Sequence, residues 1–174
     1  MNWPNIWAPW RMDYIKGLDD DAPAPACFLC DAWARPEADA ETLVVHRTAT
    51  GMIIMNRYPY TNGHVMVALG EHLADLPDMT AEQRVELMEL TNLAERMIHT
   101  AMNPQGINIG INVGRCAGAG LPGHLHVHLV PRWGGDTNFM QVVGGVRVQP
   151  QAIEVVYREF VDVIKTLNPT GGEN

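Results

Sequence analysis

The run Gly123-His-Leu-His-Val-His-Leu-Val-Pro-Arg132 puts histidine at positions 124, 126 and 128. A strand sends successive side chains to opposite faces. The three imidazoles then share one face, and Leu125, Val127 and Leu129 share the other. The apolar face belongs in a core; the histidine face lines something polar. Alternate residues lie about 6.6 Å apart along a strand. That spacing suits an extended anionic substrate, or a metal beside a substrate, because neutral imidazole serves as nucleophile, acid/base or ligand. A single His-x-His pair is as readily a plain metal site or a half-exposed polar face. Three in register, entered through Ala117-Gly-Ala-Gly-Leu-Pro-Gly123, form a more specific pattern. Glycines let the backbone approach a ligand and turn N–H groups toward anionic oxygens. The run reads as a phosphate-handling site.

The chain's 174 residues, 47% of them hydrophobic, suffice for one domain with a sizeable core. A net charge of −8 argues against a general nucleic-acid binder, which needs a basic face. It leaves room for a phosphorylated small molecule bound by local N–H groups, His and Arg. No apolar run reaches the ~20 residues of a membrane span. The start, Met-Asn-Trp-Pro-Asn-Ile-Trp, lacks the pattern of a signal peptide. Three cysteines give no disulfide framework, so a cytoplasmic location is expected.

Residues 1–174 read as one domain, with an N-terminal extension over 1–26, the chemical motifs within 27–140 and a C-terminal helix over 149–167. The first 17 residues are aromatic and apolar and should pack on the domain or on a partner subunit; residues 18–26 form a proline-broken loop. Strands are expected over Thr42–Arg47, Gly51–Asn56 and Gly63–Leu69, rich in Val, Ile and Met. The Asn62-Gly63 step is turn chemistry. Thr80 with Gln83 marks a capping box and starts a helix to Met102, with Val85, Met88, Leu93, Met97, Ile98 and Met102 as its core stripe. Gly106–Val113 alternates as a strand whose polar side, Asn108, Gly110 and Asn112, can reach the histidines. Gln149–Leu167 is the second helix, with Pro150 in its first turn. Gly171–Asn174 is a loose tail. Short connections favour antiparallel pairing, so the fold class is α+β: an antiparallel sheet with two principal helices.

Cys27-Phe-Leu-Cys30 is a second chemical motif. A thioredoxin-like role needs a βαβ context that is missing, and haem attachment needs His where Asp31 stands. A zinc knuckle remains, requiring two further Cys or His ligands. His46, His64, His72, His99, the triad and Cys116 are all candidates, and spacing does not choose among them.

His124-Leu-His-Val-His-Leu-Val130 resembles the motif of the histidine triad (HIT) family of nucleotidyl transferases and hydrolases. Asn56-Arg-Tyr-Pro-Tyr-Thr-Asn-Gly-His64-Val, followed by His72-Leu-Ala-Asp-Leu, is similar to a second block of that family. Trp7-Ala-Pro-Trp-Arg-Met-Asp-Tyr-Ile15 and Pro131-Arg-Trp-Gly-Gly-Asp-Thr-Asn-Phe139 resemble a bacterial branch related to diadenosine tetraphosphate phosphorylases.

The resemblance implies a HIT-like α+β fold and a homodimer. It implies a structural zinc held by Cys27, Cys30, His72 and His124, closed to substrate. It makes His126 the nucleophile and His128 a phosphate contact and proton-transfer partner. Asn56 would contact ribose, Asn112 the phosphate oxygens, and Gly118, Gly120 and Gly123 would supply loop N–H donors. Many family members carry Gly-Gln-Ser/Thr-Val before the first histidine. Here Ala119–Gly123 has no Gln or Ser, which fits an acceptor other than water. The expected reaction is cleavage of diadenosine tetraphosphate by phosphate to ADP and ATP. The alternatives are a hydrolase or phosphoramidase and, from a different class, a nucleotide-binding interaction module. Arg115 and Arg132 are further candidate anion contacts, although a solvated or strand-end arginine is the plainer reading of each.

Overall fold

The computed structural model describes residues 27–136, 143 and 149–167. The N-terminal extension, the C-terminal tail and the end of the Pro131–Phe139 segment lie outside the described residues. Five strands form one sheet: β1 (Val44–Arg47), β2 (Gly51–Met55), β3 (Val65–Leu69), β4 (Gly106–Ile111) and β5 (His126–Arg132). Their order is β1-β2-β3-β5-β4, and every pairing is antiparallel. The antiparallel sheet carries two long helices, α3 (Ala81–Met102) and α4 (Ile153–Leu167), as the α+β reading anticipates. Two short helices precede it: α1 (Phe28–Ala34) and α2 (Asp39–Thr42).

The strands are short runs of Val, Ile and Met, and both central ones, β2 and β3, are buried throughout. Such all-round burial requires cover on both faces. On one face Ile53, Met55, Val65, Val67 and Leu69 join Leu125, Val127 and Leu129 in a core with α3 and α4. On the other, Met52, Ile54, Met66 and Ala68 pack under Leu29 and Ala32 of α1. This second face carries the chemistry. Arg47 fastens α1 and α2 to β1, donating to the Ala32 and Trp33 carbonyls and pairing with Asp39.

Helix α3 begins at the capping box, with Thr80 Oγ1 accepting from Gln83 N–H and the Gln83 side chain accepting from Thr80 N–H. Its buried stripe is Leu87, Leu90, Thr91, Ala94, Met97 and Ile98. Val85 and Met88 are exposed instead, a correction to the expected stripe. The 3.6-residue period that buries 87, 90, 94 and 97 turns 85 and 88 to the opposite side. Helix α4 starts at Ile153, not at Gln149. The glutamines before it are occupied elsewhere, Gln149 donating to the Pro59 carbonyl and Gln151 accepting from Asn62 at 2.6 Å. Val156, Phe160 and Ile164 anchor α4. Their burial contributes about 4–9 kcal/mol, enough to hold a helix too short to be stable alone.

The turn before β3 is set by Gly63. Its φ of +77° is left-handed, and a Cβ there would meet Met102 Sδ at 2.3 Å. Strand β5 starts at His126, two residues later than the alternation suggests. Leu125 N–H is taken by the Leu73 carbonyl, which pulls the chain out of the ladder just before the strand. Leu125 still joins Val127 and Leu129 on the helix side.

Candidate active site and metal centre

The partners of the three triad imidazoles fix the tautomer of each: Nδ1–H for His126, and Nε2–H for His124 and His128. His126 is 5% exposed, and its Nδ1 lies 2.8 Å from the His124 carbonyl oxygen. A carbonyl only accepts, so Nδ1 carries the proton and Nε2 presents a lone pair. His124 Nε2 lies 2.9 Å from the Leu69 carbonyl oxygen. Its proton is on Nε2, and Nδ1 is the bare nitrogen. His128 Nδ1 lies 3.0 Å from Nε2 of His64. His64 is fully buried, and its Nδ1 accepts from Tyr60 N–H at 3.2 Å with the Asn56 amide at 3.3 Å. His64 therefore donates from Nε2, His128 accepts at Nδ1, and His128 directs an N–H outward from Nε2. The nucleophile candidate thus has a bare nitrogen beside a neighbour bearing a donor; the two rings meet edge-on at 4.7 Å.

Burial lowers the His126 pKa. Burial and then the charge of His126 hold His128 down to about 4. Both rings are neutral at pH 7, as attack and hydrogen-bond donation require. A folded-state pKa below the unfolded ~6.5 means that the unfolded chain takes up the proton first. The stability linked to His128 is complete above about pH 6.5 and is lost as pH falls through about 4. Nitrogen-15 spectra of the His128 ring should show an unchanged neutral Nε2–H tautomer at pH 6 and protonation near pH 4. Titration near 6.5 would refute the buried, His64-bonded assignment.

The second constellation lies on the same face. Cys27 caps the N-terminus of α1, Cys30 lies in its first turn, His72 follows β3, and His124 precedes β5. Their ligand atoms all lie within 4.8 Å of one another. Cys27 Sγ is 3.3 Å from His124 Nδ1, and Cys30 Sγ is 3.2 Å from His72 Nδ1. Zinc–ligand bonds of about 2.0–2.3 Å put neighbouring ligand atoms of a tetrahedron roughly 3.6 Å apart. The donor set, the spacing and the bare Nδ1 of His124 fit a four-coordinate metal ion. Burial, then the hydrogen bond and charge of Cys27, push the Cys30 thiol up to about 11. A cation between the sulfurs reverses that preference, since metal binding displaces thiol protons. His46, His64, His99 and Cys116 stand outside this cluster. His46 is half-buried on β1 near Glu86, and His99 and Cys116 are exposed.

Two grooves flank the triad. Met66, the β3 partner of His128, lines one of about 330 Å³ together with Phe28, Ile54, Asn56 and Tyr58. Gly110, its β4 partner, lines another of about 380 Å³ with Tyr60, Asn108, Asn112 and Arg132. The polar side of β4 thus does reach the histidines. Asn112 Nδ2 contacts the Gly118 carbonyl at 3.5 Å, holding the start of the glycine loop. Gly118 has a left-handed φ of +91°, and Gly120 opens onto free space. Gly123 differs: a Cβ there would meet His72 Nε2 at 3.1 Å, so its smallness serves the metal cluster. Arg132 is paired with Asp136. His64 is the residue that sequence reasoning did not place. Its signal was available in the Asn-Gly-His block, but its role depends on which strand lies beside β3.

Residues 37–135 match the model of the HIT domain. The chain is 40% identical over 154 residues to a Mycobacterium tuberculosis (strain H37Rv) protein named AP-4-A phosphorylase, covering 85% of this chain and 77% of that protein. It is 32% identical over 89 residues to a Schizosaccharomyces pombe bis(5'-nucleosyl)-tetraphosphatase (asymmetrical), covering 51% and 48%. Among solved structures, a Zn-bound histidine triad family protein from Mycobacterium smegmatis superposes with a TM-score of 0.67 at 25% identity, covering 83% of this chain and 96% of that one. With the triad strand, the antiparallel sheet and these matches agreeing, the chain belongs to the histidine triad family.

Proposed function

We propose that the protein is a nucleotidyl transferase that cleaves diadenosine tetraphosphate with inorganic phosphate, giving ADP and ATP. The observation that carries this reading is the pair of opposed tautomers at His126 and His128. His126 Nε2 attacks the α-phosphorus of one adenosine. A P–N bond forms, the P–O bond to the bridging oxygen breaks, and that oxygen leaves with its electron pair on ATP. The imidazolium so created keeps its Nδ1 proton against the His124 carbonyl. His128 Nε2–H, beside His126, hydrogen-bonds the leaving oxygen as charge develops. Asn112 and the N–H groups of Gly120 and Gly123 bind phosphate oxygens, and Asn56 binds the ribose; the Gly118 N–H, expected as a third loop donor, is taken by the Arg115 carbonyl at 2.9 Å. Phosphate then attacks the adenylyl group from solvent, the P–N bond breaks, and ADP departs. The 40% identity to the mycobacterial AP-4-A phosphorylase supports phosphate as the acceptor. So does the loop, where Ala119–Gly123 offers no Gln or Ser side chain.

Cys27, Cys30, His72 and His124 would hold a structural zinc with no open position. The metal supplies rigidity to His124, whose carbonyl orients the nucleophile. The reading includes a homodimer, supported by β4 at the sheet edge with Ile109 and Val113 exposed. It also includes a cytoplasmic location, supported by unpaired cysteines and by the absence, among the described residues, of a helix long and apolar enough to cross a membrane.

Product analysis tests the acceptor. With phosphate, diadenosine tetraphosphate should yield equimolar ADP and ATP; without it, turnover should stop after about one ATP per site. AMP formed at the same rate in both conditions would assign the hydrolase instead.

A further inference from the structure

We infer that the groove between Tyr60 and strand β4 is a second nucleoside subsite, which holds the departing half of the substrate. The inference rests on the functional reading above and assigns that site's second half. In-line displacement places nucleophile and leaving oxygen on opposite sides of the reacting phosphorus. With Asn56 and Phe28 assigned to the transferred nucleoside in one groove and His128 to the leaving oxygen, the second groove, which His128 itself lines, is the one that meets the rest of the substrate.

The chemistry of that second groove favours a nucleoside over a bare anion. Its cation, Arg132, donates from Nε and Nη2 to the Asp136 carboxylate and from Nη1 to Asn108 Oδ1 at 3.0 Å. Asp136 also lines the groove, so the pair cancels to no net charge, and His128 is neutral. A free phosphate or triphosphate end would need excess positive charge there. Tyr60 instead offers a half-exposed ring, tilted 30° to the His128 ring at 6.0 Å, on which a base can stack. Val130 gives an apolar floor, and Asn108, held by Arg132, gives an oriented amide. At about 380 Å³ the groove has the size of a small-molecule site.

Gly110 makes the idea testable. It faces His128 across the ladder, and a Cβ there has no neighbouring atom within 4 Å. Valine at this position favours the strand and projects only into the groove. Gly106, on the same side of β4 but beyond the groove lining, has equally open space and serves as the control. Both substitutions are made in a His126→Asn background, which holds substrate without transferring it. Calorimetric titration with diadenosine tetraphosphate and with AMP should show Gly110→Val weakening the dinucleotide at least about tenfold, the size of one lost stacking contact. AMP affinity should stay within about twofold, and Gly106→Val should change neither. Equal affinities of the parent for the two ligands would overturn the inference. So would a Gly110→Val protein that keeps both affinities or loses both together. The functional reading fails separately, if the unsubstituted protein does not convert diadenosine tetraphosphate at all.

Discussion

His126→Ala should lower turnover of diadenosine tetraphosphate by at least about 10⁴-fold, equivalent to about 5.5 kcal/mol of transition-state stabilisation, while nucleotide affinity changes by less than about threefold. The geometry separates these quantities. The ring is 5% exposed and fixed through Nδ1 by a 2.8 Å hydrogen bond to the His124 carbonyl just before the strand, so its free atom is Nε2. Neither flanking groove has His126 among its lining residues; one is lined by α1, β2 and the Asn56–Tyr58 turn, the other by β4, Tyr60 and the part of β5 beyond His126. Removing the ring therefore deletes the bond-forming atom and leaves the binding surfaces in place. Mass spectrometry of wild-type protein denatured during turnover without phosphate should find one adenylyl group on His126. The variant should carry none. An interaction module with incidental catalysis would behave differently, with turnover within tenfold of wild type after the substitution. That result would end the nucleophile assignment.

Local chemistry made much of this site legible before any coordinates. Period two in residues 124–129 fixes which side chains share a face, and Leu125, Val127 and Leu129 are buried on the helix side accordingly. The capping box fixes the start of α3 to the residue. What local pattern misses is what depends on a distant segment. Spacing left five positions besides the triad competing for the Cys-x-x-Cys metal site; the family likeness pointed to His72 and His124, and the fold brings those two to the sulfurs. The His64–His128 bond exists because β3 pairs with β5, a contact 64 residues apart in sequence. Helix α1 escaped because seven residues hold too little periodicity to read, although the Cys-x-x-Cys is its N-terminal turn. The start of α4 was misplaced because Gln149 and Gln151 bond to the loop before β3, which a propensity argument cannot see. Phase rather than composition governs α3: Val85 and Met88 are apolar, but each lies two residues, about 200° of helical turn, from buried Leu87 and Leu90, which puts them over solvent.

Cys27→Ser or Cys30→Ser should reduce bound zinc from about one ion per chain to near zero and lower the melting temperature by about 10 °C or more. The four ligand atoms come from three segments on this face: the start of α1, residue 72 and residue 124. Helix α1 has only two fully buried residues, Leu29 and Ala32, so apolar contact alone holds it poorly. With the ion absent, the Cys30 thiol stays protonated beside Cys27, and the energy of binding that would tie the segments together is lost from folding. The consequence reaches the chemistry through one atom. The His124 carbonyl accepts the hydrogen bond from His126 Nδ1–H, so a loosened His124 loosens the proposed nucleophile. Activity should therefore fall about 10- to 100-fold through kcat, even below the melting temperature. Leu29→Ala provides the contrast: it costs about 2–5 kcal/mol through lost packing under the same face but spares all four ligands, so zinc content should remain near one. Metal-free protein that keeps both its melting temperature and its kcat would remove the metal from the account. A Cys30→Ser protein that loses stability but retains stoichiometric zinc would show that the sulfur acts by packing rather than as a ligand.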